Sequence, residues 1–144
     1  MQPIVENIES DGRILAVIIR AQFNPPGVHF VTPPEFSQQL AYMRHSAGKV
    51  IKPHLHNAVE RTVQRTQEVL LLRRGRLRAN IFDERLRWVA TVDLEAGDVI
   101  LLAFGGHGFE ALEDIELIEV KQGPYAGERD KVHFDAGDLA AVHK

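Results

Sequence analysis

From residue 68 to residue 122 the chain is a succession of short aliphatic and β-branched runs, each stopped by glycine or by an acidic turn. The stops fall at Gly75, at Asp83-Glu84, at Glu95-Ala-Gly-Asp98, at Gly105-Gly106 and at Gly123-Pro124. Runs this short and this regularly punctuated suit extended strands and leave no room for an amphipathic helix, so the pattern predicts an all-β, antiparallel sandwich or barrel. Strands are expected over 76–82, 86–94, 99–104 and 114–122. Alternation assigns Leu77, Ala79 and Ile81 to the core and Arg74, Arg76 and Arg78 to a solvated outer face.

Upstream, the run at 14–19 follows an Asp11-Gly12 turn signal and reads as a strand. Asn24-Pro-Pro-Gly27 ends it, and Thr32-Pro-Pro34 interrupts the chain again, because proline cannot donate to a strand ladder. Residues 38–45 read as a strand, with a short helical turn over 35–40 as the competing reading. Residues 57–66 are polar and lack alternation; they form a loop or a short helix long enough to act as a lid. In the tail, 132–134 can add a strand and 138–143 a helical turn, and part of it can lie against a second subunit.

A length of 144 residues fits one domain: N-terminal strands over 1–44, a core over 45–120 and a tail over 121–144. The net charge of -3 gives no reason to expect nucleic acid as a partner. With no cysteine, disulfides, iron–sulfur clusters, Cys-based zinc sites and thiol catalysis are excluded. No apolar run approaches the ~20 residues of a membrane span. The N-terminus lacks the basic and apolar regions of a signal peptide, so a cytoplasmic protein is expected.

Chemistry concentrates at four positions. His54 and His56, in Gly48-Lys-Val-Ile-Lys-Pro-His54-Leu-His56, project from one face of a strand ~6.6 Å apart if that segment is extended. Glu68 heads the face carrying Leu70 and Leu72, and an acid there is costly unless paired or bound to a metal. His107 follows two glycines, which let the backbone turn sharply, and it shares a face with Phe109 and Ala111. Three imidazoles and a carboxylate suit a divalent transition metal, with Fe, Mn, Ni, Co and Zn all admissible. Glu60 is the alternative carboxylate. His29, His45, His133 and His143 have no such company and are read as surface or hydrogen-bonded residues. Arg61 and Arg65 lie beside the histidines, where a guanidinium can clamp an anionic substrate. Gly105-Gly106-His107-Gly108 has neither a nucleophilic serine nor a Gly-Lys-Ser/Thr ending, so it is read as a turn that aims His107.

These residues resemble the cupin superfamily. Its first signature, Gly, five residues, His-x-His, then Glu, six residues, Gly, is matched by Gly48, His54, His56, Glu68 and Gly75. Eleven residues separate His56 from Glu68 where the family has three or four, which implies a looped-out insertion. In the second signature, beginning at Gly97, Ala103 replaces a proline and His107 arrives one residue early. The resemblance implies a double-stranded β-helix, or jelly-roll barrel. It also implies one divalent metal held by His54, His56, Glu68 and His107, and a polar small-molecule substrate such as a sugar or oxygenated acid, turned over by dioxygenase or isomerase chemistry. Cupins also include non-catalytic ligand-binding and sensing modules, the alternative reading here, and metal-free epimerases, for which His54 with Tyr42 or Tyr125 would be needed. Catalytic residues beyond the ligands are not identified. Small cupins often dimerise, and the resemblance implies a homodimer in which the apolar edge at 14–19 takes part.

Overall fold

The computed structural model describes residues 4–137, and among these no α-helix forms. Ten strands make three antiparallel sheets: β1 (Val5–Ser10), β2 (Arg13–Ile19), β3 (Gly27–Phe30), β4 (Ala41–Arg44), β5 (Glu68–Arg74), β6 (Arg76–Phe82), β7 (Trp88–Glu95), β8 (Val99–Leu102), β9 (Gly106–Ala111) and β10 (Glu116–Lys121). The largest sheet has the order β1-β2-β8-β5-β10, a second the order β7-β6-β9, and β3-β4 forms a separate hairpin. A 3₁₀ turn, Gly127–Asp130, follows β10.

The core lies between the first two sheets. Leu70 and Leu72 from β5, Ile100 and Leu102 from β8, and Ile18 from β2 meet Leu77, Ala79 and Ile81 from β6 and Leu94 from β7. These are the inward positions that alternation assigns to β5 and β6. The outward Arg78 instead makes two bonds to Asp93, at 2.8 and 3.1 Å, which hold the Asp93 carboxyl below its usual range. Arg76 approaches the same carboxylate at 3.8 Å, and Arg74 reaches Glu116 at 3.6 Å.

Two glycines are obligatory at the turns. A Cβ on Gly75, at φ +85°, would lie 2.2 Å from the Asp114 carbonyl oxygen; one on Gly105, at φ +77°, would lie 2.2 Å from that of Phe82. Both distances are inside any tolerable contact, and both φ values disfavour an L side chain. Asp98 is the polar counterpart of these turns. Buried at 3% exposure, it accepts hydrogen bonds from the Ala21 and Glu95 backbone N–H groups and from the Arg20 guanidinium.

The run at 14–19 differs from expectation in one respect. It is an internal strand, hydrogen-bonded to β1 on one side and β8 on the other, with Leu15 to Ile19 all buried. Its continuous apolar character reflects burial on both faces, and its backbone groups are already paired. It offers no edge to a second subunit. The expected strand at 38–45 is present in shorter form as β4, and no helical turn forms over 35–40. Residues 132–134 are not a strand, and 138–143 lie outside the described residues.

The two main sheets meet along one seam, where β1 lies against β7. Along the opposite seam β9 and β10 are both terminal strands with one unpaired backbone edge each. Between β4 and β5 the chain leaves this body as a long irregular arm, with every residue from Met43 to Arg65 exposed.

Candidate functional site

Two of the four expected ligands, Glu68 and His107, meet at the open seam. Glu68 is the first residue of β5 and faces inward with Leu70 and Leu72, as alternation requires. His107 stands at the start of β9, on the facing sheet, aimed by the Gly105 turn. Its Nε2 lies 3.8 Å from Glu68 Oε2, so two sheets contribute one group each to a shared point.

Burial sets the charge state of both. Loss of hydration, followed by a hydrogen bond and repulsion from Glu119, pushes the Glu68 carboxyl up to about 7. Burial likewise pushes the His107 imidazole below its ordinary value. Around neutral pH the imidazole is therefore neutral, and Glu68 holds its proton far more than an exposed glutamate would. A neutral imidazole can donate its lone pair to a metal ion directly, whereas the Glu68 carboxyl, which holds its proton more tightly than usual, must lose it first. The spacing also fits: two ligand atoms each ~2.1 Å from one ion stand between ~3.0 and ~4.2 Å apart, according to the angle between them.

Glu119 is the residue that sequence reasoning missed. It lies in β10 opposite Leu70, one inward position from Glu68, with Lys121 directly across from Glu68. The available signal was an acid inside the apolar run Glu116-Leu-Ile-Glu-Val-Lys121, whose alternation puts Leu117, Glu119 and Lys121 on one face. The segment after the 3₁₀ turn closes over the same region. Lys131 acts electrostatically on both Glu68 and His107. The Phe134 ring stacks edge-on to Phe82, with ring centroids 5.1 Å apart, and sits where a Cβ on Gly106 would lie only 2.9 Å from it.

The other two expected ligands are elsewhere. His54 and His56 lie in the arm, not in a strand; their rings are nevertheless neighbours, with centroids 5.2 Å apart. His54 Nδ1 is 2.9 Å from the Lys52 carbonyl oxygen, which leaves Nε2 facing outward. Among the described residues, no group of three or more His, Cys, Asp or Glu side chains is arranged to hold a metal ion. The four expected ligands thus stand as two pairs, Glu68 with His107 and His54 with His56. Glu60, the alternative carboxylate, is also in the exposed arm.

Arg61 and Arg65 are exposed and make no ion pair among the described residues. Arg65 lies between two hollows. One is bounded by Thr66, Lys121, Gln122 and Tyr125, the other by Arg13, Phe36, Gln67 and Phe104. Arg13 covers the Phe104 ring at 3.8 Å, and Phe36 meets that ring edge-on. Tyr42 packs against Phe23 on the β3-β4 hairpin, while Tyr125 is 87% exposed. No contact pairs either tyrosine with His54.

Among the described residues, no helix is long and apolar enough to cross a membrane. No family model, curated protein or solved structure matches the chain.

Proposed function

We propose that the chain is a small cupin-type enzyme holding one divalent transition metal on His54, His56, Glu68 and His107, and acting on a polar small molecule. The observation that carries this reading is the 3.8 Å approach of His107 to Glu68 from opposite sheets. Order along the chain adds to it. From β5 onward the strands alternate between the two sheets, β5 in one, β6 and β7 in the other, β8 back, β9 across and β10 back again, which suits a jelly roll.

The ion, when bound, would supply Lewis-acid or redox chemistry at its open positions. The chain's own residues do the rest. Burial keeps the His107 imidazole neutral and able to donate its lone pair, while Glu119 and Lys121 on β10 add polar groups suited to a sugar or an oxygenated acid. Arg61 and Arg65 are exposed cations able to meet an anionic group. Dioxygenase and isomerase reactions both suit such a set of groups.

A second reading is a non-catalytic module that binds or senses a polar ligand. It draws on the fact that Glu68, His107, Glu119 and Lys121 already converge without the two arm histidines. Elemental analysis of protein purified without a His tag, wild type against His54→Ala and Glu68→Ala, tests the first reading. About one ion per chain, lost in both variants, is expected. A wild type that stays empty after incubation with Fe(II), Mn(II), Ni(II), Co(II) and Zn(II) overturns it. Turnover of sugars and keto acids, followed by mass spectrometry, then separates an enzyme from a binding module.

A further inference from the structure

We propose that the site is shared between two copies of the chain. In this arrangement the arm of residues 45–65 from one copy lies along the open β9 edge of the other and delivers His54 and His56 to that copy's Glu68 and His107. The inference rests on the metal-binding reading above.

Three independent observations point to a second copy as the occupant of the open seam. The first is apolar surface. Val50, Ile51, Leu55, Val59 and Val63 in the arm are 75, 61, 91, 59 and 44% exposed. The hairpin leading into the arm adds Val28, Phe30 and Met43, at 48, 61 and 53%. A two-stranded hairpin standing alone is marginal in water and needs something packed on its face. Within one chain that face and the arm remain in water.

The second observation is charge. The arm carries Lys49, Lys52, Arg61 and Arg65 against a single acid, Glu60. The stretch that forms the far side of the seam, residues 110–121, carries Glu110, Glu113, Asp114, Glu116 and Glu119 against one basic residue, Lys121, with Glu116 already 3.6 Å from Arg74. A basic strand beside an acidic rim is steered into place and kept there.

The third is geometry. β9 and β10 each present an unpaired row of backbone donors and acceptors, which an incoming extended segment can complete. An out-and-back loop as long as this arm reaches about 30 Å, comparable with twice the ~14 Å radius of gyration of a domain this size. The histidine pair of each copy then meets the pair of Glu68 and His107 that the other copy leaves incomplete.

Light scattering on the wild type and on Leu55→Asp/Val59→Asp at micromolar concentration gives the first result. Both side chains are exposed in one copy, so circular dichroism is expected to be unchanged while the dimer becomes a monomer. A wild type of monomeric mass, or a dimer that survives the double substitution, overturns the proposal.

Mixing gives the second. His54→Ala/His56→Ala and Glu68→Ala/His107→Ala are each expected to bind no Co(II), read by its visible absorption. Co-expressed with different tags, they are expected to recover binding in mixed dimers only, because one of the two shared sites then has all four ligands. Mixed dimers that stay empty while the wild type binds Co(II) overturn the exchange and leave the metal site intact. A wild type that binds no Co(II) yet loses its dimer in Leu55→Asp/Val59→Asp removes the metal reading, and with it the shared site.

Discussion

Replacing Glu68 with glutamine in metal-free protein is expected to make the fold more stable at mildly alkaline pH and to leave it nearly unchanged at mildly acidic pH. The wild-type carboxyl is pushed from 4.5 up to about 7 by burial and by Glu119. Between those two values the folded state keeps a proton that the unfolded chain has released. Its contribution to stability is full below 4.5 and is lost as pH rises through about 7. The displacement corresponds to at most about 3 kcal/mol, because each tenfold change in proton affinity is worth about 1.4 kcal/mol. Glutamine has the same shape, cannot ionise, and can still donate to Glu119. Urea unfolding with a chelator present, at about pH 5 and about pH 8, is expected to show the variant overtaking the wild type by up to that amount. His107 shifts the other way: its depressed imidazole adds stability as pH rises toward 6.5, and because it lies 3.8 Å from Glu68 the substitution alters it as well, so the comparison is read at about pH 8, where the imidazole is neutral in both proteins. Parallel pH profiles for wild type and variant would refute the reasoning, since they would mean that Glu68 is ionised in the folded state at the same pH as in the unfolded one.

Three further outcomes are expected. Gly75→Ala combines a left-handed backbone with a Cβ 2.2 Å from the Asp114 carbonyl oxygen, and thermal unfolding is expected to record a loss of about 3 kcal/mol or more. Asp98→Ala leaves the Arg20 guanidinium without one of its carboxylates and two backbone N–H groups without acceptors; urea unfolding is expected to show a cost of about 3–5 kcal/mol, with Asp98→Asn milder. Co(II) affinity is expected to fall as pH drops below about 7, because the ion must displace the Glu68 proton, and a proton released on binding is expected in unbuffered titration.

The strands were legible wherever a local pattern decides them. Leu77, Ala79 and Ile81 alternate because one face of β6 is core, and Glu68 falls on the inward face for the same reason. Two kinds of information were not local. The run at 14–19 has the same composition whether it is an edge or an interior strand, and only its neighbours β1 and β8 decide. Glu119 belongs to the site because β10 pairs with β5, a contact that neither segment encodes alone. His54 and His56 show the opposite case. Their spacing suits a strand, but a strand also needs an edge to pair with, and Pro53 removes one donor from the segment. Residues 49–56 cannot specify which chain provides that edge.

The Phe134 ring resting on Gly106 means that the tail and the turn before His107 share one parcel of space. Anything larger than hydrogen at position 106 must displace the ring, and a smaller side chain at 134 would leave a void beside Gly106 and Phe82. The two positions are therefore expected to trade volume. Gly106→Ala alone is destabilising, whereas Gly106→Ala with Phe134→Leu recovers part of the loss, so that the pair departs from additivity. Residues that follow β10 are in this way tied to the turn that leads into β9.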